Sequence, residues 1–359
     1  MEEEEKRTVE TAFVRVDREN PDAATMALAG EIIRQGGLVA FPTETVYGLG
    51  GDALNPDASR KIYAAKGRPS DNPLIVHIAD MEALAPIAAE VPEAARRLAA
   101  AFWPGPLTMI FPKTDLVPTA TSGGLSTVAV RMPNHPVALA LIRASGGYIA
   151  APSANASGRP SPTRAEHVRE DLNGRIDMIL DGGPVEIGLE STIVDFTEDV
   201  PMVLRPGFVN LQMLRDVLGE VRTDPAILDA NAGKNLRPRA PGMRYRHYAP
   251  KAPLLIVEGP AERVTERINR LAAEDVARGL SVGIIAAAET AGLYPVGRVR
   301  DIGSRSTDEE IARHLFEVLR DFDEEGVDKI YSEAFDTPRL GMAIMNRLLR
   351  AAGHRVLEV

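Results

Sequence analysis

The chain has 359 residues, 41 Lys+Arg against 51 Asp+Glu for a formal charge of −10, 45% hydrophobic residues and no cysteine. At roughly 150 residues per domain this length suggests two domains, each able to bury its own core, and the composition excludes a disordered or fibrous chain. Without cysteine, disulfides, thiolate catalysis and Cys-based zinc or iron–sulfur sites are all excluded, so any chemistry must use oxygen and nitrogen groups.

No apolar run approaches the roughly 18 residues that a membrane span needs, so no membrane partner is expected. The first residues, Glu2 to Glu5, have no apolar stretch behind them. They read as a solvated acidic tail, not a secretory signal, and predict a cytoplasmic location. The acidic total argues against broad coating of nucleic acid. Two acid-free cationic islands nonetheless stand out: Arg60, Lys61, Lys66 and Arg68, and then Arg237, Arg239, Arg244, Arg246 and Lys251. Basic islands in an acidic chain point to an anionic small ligand.

From Gly37 to about Leu218 short apolar runs alternate with helical patterns, which predicts an α/β domain. Strands are expected at Leu38 to Phe41, Leu74 to Ile78, Leu107 to Phe111, Thr127 to Arg131, Tyr148 to Ala151, Met178 to Asp181, Thr192 to Phe196 and Val203 to Arg205. Asn55-Pro56 suits an N-cap followed by N1, Ala58, Ile62 and Ala65 share a helix face, and Gly67 suits the C′ position, so one helix should end at Lys66. Pro225 to Pro250 is rich in Pro and Gly with little periodicity, and reads as a connector that is long for a passive one. Beyond it Leu254 to Val257, Val282 to Ala286 and Lys329 to Ser332 read as buried strands, and Thr307 to Glu310 as a capping box that opens a helix. The chain thus divides into residues 1–221, a connecting segment 222–250 and a smaller α/β domain 251–359.

Gly48-Leu49-Gly50-Gly51-Asp52-Ala53 satisfies G-x-G-x-x-A, but its helix would start only at Asn55-Pro56, several residues late for a dinucleotide fingerprint; a turn is the expectation. Phosphate-loop, zincin and hydrolase-elbow motifs have no match. What remains is distributed. In Thr127-Val128-Ala129-Val130-Arg131 the Thr and Arg share a strand face. His77 opposes Leu74, Val76 and Ile78, a pattern that more often marks a satisfied structural histidine than a ligand. Pro42-Thr43-Glu44-Thr45, Pro152-Ser153-Ala154-Asn155, Arg205-Pro206-Gly207 and Glu190-Ser191-Thr192 each put short polar groups at a strand end. Any one is ordinary turn chemistry, but their number, beside Lys66, Arg68, Arg131 and Arg205, favours a polyanion pocket at the carboxyl edge of an open sheet.

Taken in order, Pro42 to Leu49, Lys66-Gly67-Arg68-Pro69, Asn72 to His77, Trp103 to Thr108, Thr127 to Pro133, Pro152 to Asn155 and Glu190 to Ile193 resemble the YrdC-like L-threonylcarbamoyladenylate synthases. Pro241 to Pro250 (PGMRYRHYAP) is similar to the hallmark of that family's long, two-domain form. The resemblance covers roughly residues 30–250. It implies a YrdC-like twisted mixed sheet with a concave basic cavity, followed by a smaller Rossmann-like α/β domain.

The resemblance also implies condensation of L-threonine, bicarbonate or CO2 and ATP to threonylcarbamoyl-AMP and pyrophosphate, for N6-threonylcarbamoyladenosine formation in tRNA. Thr45, His77, Arg131, Ala151 and Ser191 would then hold threonine or its carbamate. Lys66, Arg68, Asn72, Thr127, Ser153, Ser161 and Arg205 would hold ATP, Tyr245 of the connecting segment would close over the nucleotide, and Lys66 and Arg68 would carry catalysis. Mg²⁺ would accompany ATP, and no residue is assigned to hold it. A downstream threonylcarbamoyl transferase complex is the implied partner, with a weak contact to tRNA.

On that basis no side chain is an obvious dedicated base, and catalysis rests on positioning and on charge stabilisation at the phosphates. Because carbamates and mixed anhydrides are labile, a lid is useful. The connecting segment supplies a Pro-Gly hinge, aromatics and cations for one, although an ordinary connector remains the competing reading. Two further readings stand beside the synthase: a non-catalytic RNA-binding module using the basic cavity, and carbamoyl transfer from carbamoyl phosphate, which would not depend on ATP.

Overall fold

Residues 9–227 and 248–359 are described here, in a computed structural model. Their first part carries one mixed sheet. Its strands are β1 (Ala12–Arg15), β2 (Val39–Phe41), β3 (Gly48–Asp52), β4 (Ile75–His77), β5 (Leu107–Pro112), β6 (Thr127–Arg131), β7 (Ile149–Ala150), β8 (Met178–Asp181), β9 (Thr192–Asp195), β10 (Met202–Arg205) and β11 (Arg222–Thr223). They lie in the order β1-β8-β2-β3-β7-β4-β6-β5-β9-β10-β11. Helices α1 (Ala23–Arg34), α2 (Pro56–Lys66), α3 (Glu93–Phe102), α4 (Pro136–Ala144), α5 (Ala165–Leu172) and α6 (Leu211–Leu218) connect them.

The start and stop signals of α2 act as the sequence predicts. Asn55 caps it by accepting from the Asp57 N–H, Pro56 occupies the first turn, and Gly67 ends it in the left-handed region at φ 63. Ending there places Lys66 and Arg68 on either side of a sharp exit, because only glycine takes that conformation without a Cβ penalty.

The glycine run at Gly48 is not the expected turn. It forms β3, antiparallel to both β2 and β7. Glycine is needed there because the neighbours come so close: a Cβ on Gly50 would sit 2.9 Å from both Ile149 Cγ2 and Phe41 Cε1. The sequence shows the absence of side chains but not the strand packed against it.

The second part has an all-parallel sheet of β12 (Leu254–Glu258), β13 (Val282–Ala286), β14 (Arg298–Asp301), β15 (Lys329–Glu333) and β16 (Val356–Glu358), with α7 (Ala261–Ala277), α8 (Asp308–Glu325) and α9 (Gly341–Ala351). Its order is β14-β13-β15-β12-β16. Sequence reasoning found the three central strands and missed the edges β14 and β16. Arg298, Val299, Arg300 and Asp301 are exposed or half-buried, so β14 carries little apolar signal. The capping box at α8 also differs: Thr307 Oγ1 donates to the Glu310 carboxylate at 3.1 Å, and no side chain caps the helix backbone.

The two parts share a core. Val46 and Leu189 of the first pack in one buried cluster with Tyr248, Phe316, Leu319 and Ile344. The expected connecting segment 222–250 falls mostly outside the described residues, although its beginning, Arg222–Thr223, is a strand of the first sheet. Among the described residues no helix is long and apolar enough to cross a membrane.

Candidate active site

A pocket opens where β4, β6 and β7 end and β9 begins. Thr43, Thr45, Arg68, His77, Arg131, Ala151, Ser153, Glu190, Ser191, Arg205 and Tyr248 line it. Sheet register explains the gathering. Parallel pairing of β4 with β6 sets His77 beside Arg131, and antiparallel pairing of β5 with β6 sets Thr108 on the other side of that arginine. The Thr108 hydroxyl meets the Ser191 hydroxyl at 2.7 Å. Arg205, at a register shift between β10 and β9, turns back onto the same serine.

The Thr43–Val46 turn builds one wall. The Thr43 hydroxyl donates to the Val46 carbonyl at 2.7 Å and accepts from the Thr45 N–H at 3.1 Å, a local side-chain turn that needs no neighbour. Arg131 Nη1 then donates to Thr45 Oγ1 at 2.8 Å. Arg131 Nη2 lies 2.7 Å from Glu44 Oε1, and both side chains are buried. The ion pair is not aligned as a hydrogen bond, and both Glu44 oxygens lack a hydrogen-bond partner.

The field in the pocket is positive. Burial first, and then Arg131, pushes His77 down to about 3. Its ring is therefore neutral at pH 7 and adds no charge beside the arginine. Burial lowers Arg205 to about 10, against the pull of Tyr248 and Glu190. Burial opposes ionisation of Glu190, but Arg347, Arg205 and the Ser161 hydroxyl outweigh it and hold the carboxyl below its ordinary value. Arg68, Arg131 and Arg205 line the pocket against Glu190, which Arg347 neutralises, and Glu44, which pairs with Arg131, and the cationic excess that remains suits an anion.

Of the residues singled out from sequence, Thr45, Arg68, His77, Arg131, Ala151, Ser153, Ser191 and Arg205 line this one pocket. Others stand behind it. Lys66 is buried, and its ammonium donates to the carbonyls of Ser153 and Asn155. Burial, with Arg68 next in effect, sets its pKa well below that of an ordinary lysine. Asn72 is buried with its Oδ1 lacking a hydrogen-bond partner, while its carbonyl accepts from Arg68 Nε at 3.3 Å. Ser161 donates to Glu190. Thr127 lies at the opposite end of β6 from Arg131, across from Pro112.

Tyr245 lies outside the described residues, as do Arg237, Arg239, Arg244 and Arg246. The aromatic seen at the pocket is Tyr248, from the same motif. It is buried, holds φ at 64 and packs its ring on Phe316 at 5.0 Å. Sequence reasoning passed over Tyr248, Thr43 and Glu190. All three sit inside motifs already quoted, but nothing in the letters tells which member of a motif faces inward.

Among the described residues no three His, Asp or Glu side chains come together as metal ligands. The two acids nearest the pocket, Glu44 and Glu190, are each held by an arginine. Among the described residues, then, no ready-made set of side chains stands at the pocket to hold a metal.

Comparison with known proteins places this arrangement. A family profile described as "Telomere recombination" matches residues 31–207, and one described as the C-terminal domain of threonylcarbamoyl-AMP synthase matches residues 209–353. The chain is 50% identical over 343 residues to a threonylcarbamoyl-AMP synthase of Pyrococcus abyssi, covering 95% of this chain and 98% of that one. Against a Bacillus subtilis protein of the same name it is 51% identical, over 93% of this chain and 94% of that one. A shorter relative of that name, from Halorhodospira halophila, is 43% identical over 150 residues, which cover 42% of this chain and 78% of the relative. The crystal structure of Pyrococcus abyssi Sua5 complexed with L-threonine superposes with a TM-score of 0.91 at 49% identity, covering 97% of this chain and 100% of that one.

Fold, pocket and relatives together define an enzyme, a two-domain synthase that transfers an adenylyl group. The chain belongs to the threonylcarbamoyl-AMP synthase family.

Proposed function

We propose that this pocket condenses L-threonine, CO2 or bicarbonate and ATP into threonylcarbamoyl-AMP and pyrophosphate. One observation carries the reading: Thr45, Arg131 and Ser191, suited to an amino-acid carboxylate and hydroxyl, share one buried pocket with Arg68, Ser153 and Arg205, suited to phosphate oxygens. That a 49% identical Sua5 has been crystallised with L-threonine supports it.

In the proposed reaction the threonine amine attacks the carbon of CO2, forming the N–C bond of a carbamate and losing a proton. A carbamate oxygen then attacks the α-phosphorus, and the bond to the β-phosphate oxygen breaks to release pyrophosphate. Arg131 forks onto the threonine carboxylate, with Thr45, His77, Ala151 and Ser191 completing that half. Arg68, Ser153 and Arg205 take the phosphates. Lys66, Asn72 and Ser161 support them from behind, and Lys66 reaches the phosphates once it leaves its two carbonyls. Thr127 is assigned to the outer, nucleoside side.

The rate gain comes from orientation and from fixed cations in a site shielded from water. Mg²⁺ is assigned to the arriving triphosphate, because magnesium is commonly held through substrate phosphates with few protein ligands. The product, a threonylcarbamoyl mixed anhydride, supplies a transferase that modifies adenosine in tRNA to N6-threonylcarbamoyladenosine.

The test is pyrophosphate release from ATP by the purified chain with no RNA present. Release that requires both threonine and bicarbonate supports the reading. Release without threonine, or none at all with both present, overturns it.

A further inference from the structure

Two arginines of the second sheet's helices are wholly buried against the first part of the chain: Arg320 on α8 and Arg347 on α9. Arg320 acts as a docking pin. It donates to Asp171 Oδ2 at 2.9 Å and to the Pro160 carbonyl at 2.6 Å. Arg347 reaches a different place. Its Nε donates to Glu190 Oε2 at 3.0 Å, its Nη2 to the Glu190 carbonyl at 3.2 Å, and its Nη1 to the Pro206 carbonyl at 2.6 Å.

Those acceptors lie at the pocket end of one antiparallel hairpin, just before β9 and just after β10. Glu190 precedes Ser191, and Pro206 follows Arg205. One rigid guanidinium fork from the second part of the chain therefore braces the strand start that carries the serine and the strand end that carries the arginine, in addition to the pairing of β9 with β10. On the far side Ser161 donates to Glu190 Oε1, so the carboxylate is gripped by both parts of the chain. Docking alone does not call for this. A buried ion pair is commonly no more stabilising than well-packed apolar residues, and Arg320 already pins the interface nearby.

We propose that Arg347 is a positioning residue through which the second domain completes the catalytic pocket, bracing the Glu190 and Pro206 backbone so that the Ser191–Arg205 pair stays aimed at the bound substrate anions. It touches no substrate itself. The proposal rests on reading the pocket as a threonine and ATP site, and it gives the C-terminal domain a task that the shorter relative must perform by other means.

The test uses the full chain with Arg347→Lys and Arg347→Met. Lysine keeps a cation near Glu190 but cannot span three acceptors on two segments. Arg347→Lys is expected to melt within a few degrees of the parent, while its dissociation constant for threonine rises fivefold or more and KM for ATP rises with it, kcat changing less. Arg347→Met, where it folds, is expected to weaken threonine tenfold or more; where it does not fold, the lysine variant decides. Parent-like threonine affinity in either folded variant overturns the proposal.

Amide hydrogen exchange in the absence of substrate separates this failure from failure of the functional reading. The lysine variant is expected to exchange faster at Ser191, Thr192 and Gly207 and at the parent rate in β13 and β15, whether or not the parent binds threonine. Unchanged exchange at those three amides sinks the staple.

Discussion

Arg205 holds Ser191 twice: its Nε donates to the serine carbonyl at 3.0 Å and its Nη2 to the serine hydroxyl at 3.1 Å. The grip fixes a cation and a hydroxyl donor side by side, which is the geometry a phosphate or carboxylate accepts. Lysine at this position would keep the charge but make at most one of the two contacts. A hydrogen bond to a charged group contributes about 1.5 to 3 kcal/mol, so Arg205→Lys is expected to lower kcat/KM for ATP by about tenfold to a hundredfold. Pyrophosphate release at varied ATP reads this directly, and a loss below about threefold would remove Arg205 from the nucleotide half.

Glu44 and Arg131 form a buried pair beneath the same pocket, 2.7 Å apart. Removing the acid strands a guanidinium away from water, a change that costs about 3 to 5 kcal/mol in other buried pairs. Glu44→Ala should therefore lower the urea midpoint sharply and weaken threonine, since Arg131 is then free to leave Thr45. Glu44→Gln keeps the shape and loses the charge, and should fall between Glu44→Ala and the parent. Equal midpoints for parent and Glu44→Ala would show that the pair contributes nothing.

These pairs also mark what the sequence could and could not disclose. Arg131 was legible from strand alternation, a local signal, whereas Thr45 was singled out from its turn only through the family resemblance. Their partner Glu44 lay in the same turn, yet whether it faced solvent or Arg131 depends on a neighbour 87 residues away, and no local pattern carries that. The same limit hid β3: Gly50 reads as a turn residue until Phe41 and Ile149 are seen pressed against it. Central strands were found to within a residue or two, while β1, β14 and β16, edge strands with few buried side chains, were not.

Three buried histidines make stability depend on pH. His77 and His167 are pushed down to about 3 and His135 to about 4, in each case chiefly by burial. In the unfolded chain each titrates near 6.5. Between these limits the unfolded state binds protons that the folded state refuses, so stability is full above about pH 6.5, falls as pH drops below it and levels off for each group near its folded value. One such histidine accounts for about 2 kcal/mol between pH 7 and pH 5. His77→Asn should therefore lose about that much less stability than the parent over this interval, as read by urea unfolding at the two pH values. A parallel pH dependence in variant and parent would mean that His77 takes up its proton as readily in the folded as in the unfolded chain.

Tyr248 closes the pocket from the side of the second sheet, and two properties of the residue make separate predictions. Its ring is buried on Phe316, and deleting a buried aromatic ring costs about 3 to 5 kcal/mol. Its backbone sits at φ 64, where a side chain other than glycine's is disfavoured by about 1 to 2 kcal/mol. Tyr248→Gly therefore relieves the backbone while losing the ring, and should be the more stable of the Gly and Ala variants. If the ring serves to shield a labile carbamate and mixed anhydride from water, both variants should release more pyrophosphate per threonylcarbamoyl-AMP recovered, and Tyr248→Phe should stay near the parent ratio. Stopped-time assays that count pyrophosphate and trapped intermediate together distinguish the outcomes. A Gly variant that retains intermediate as well as the parent does would reduce Tyr248 to a turn residue and leave water exclusion to some other part of the chain.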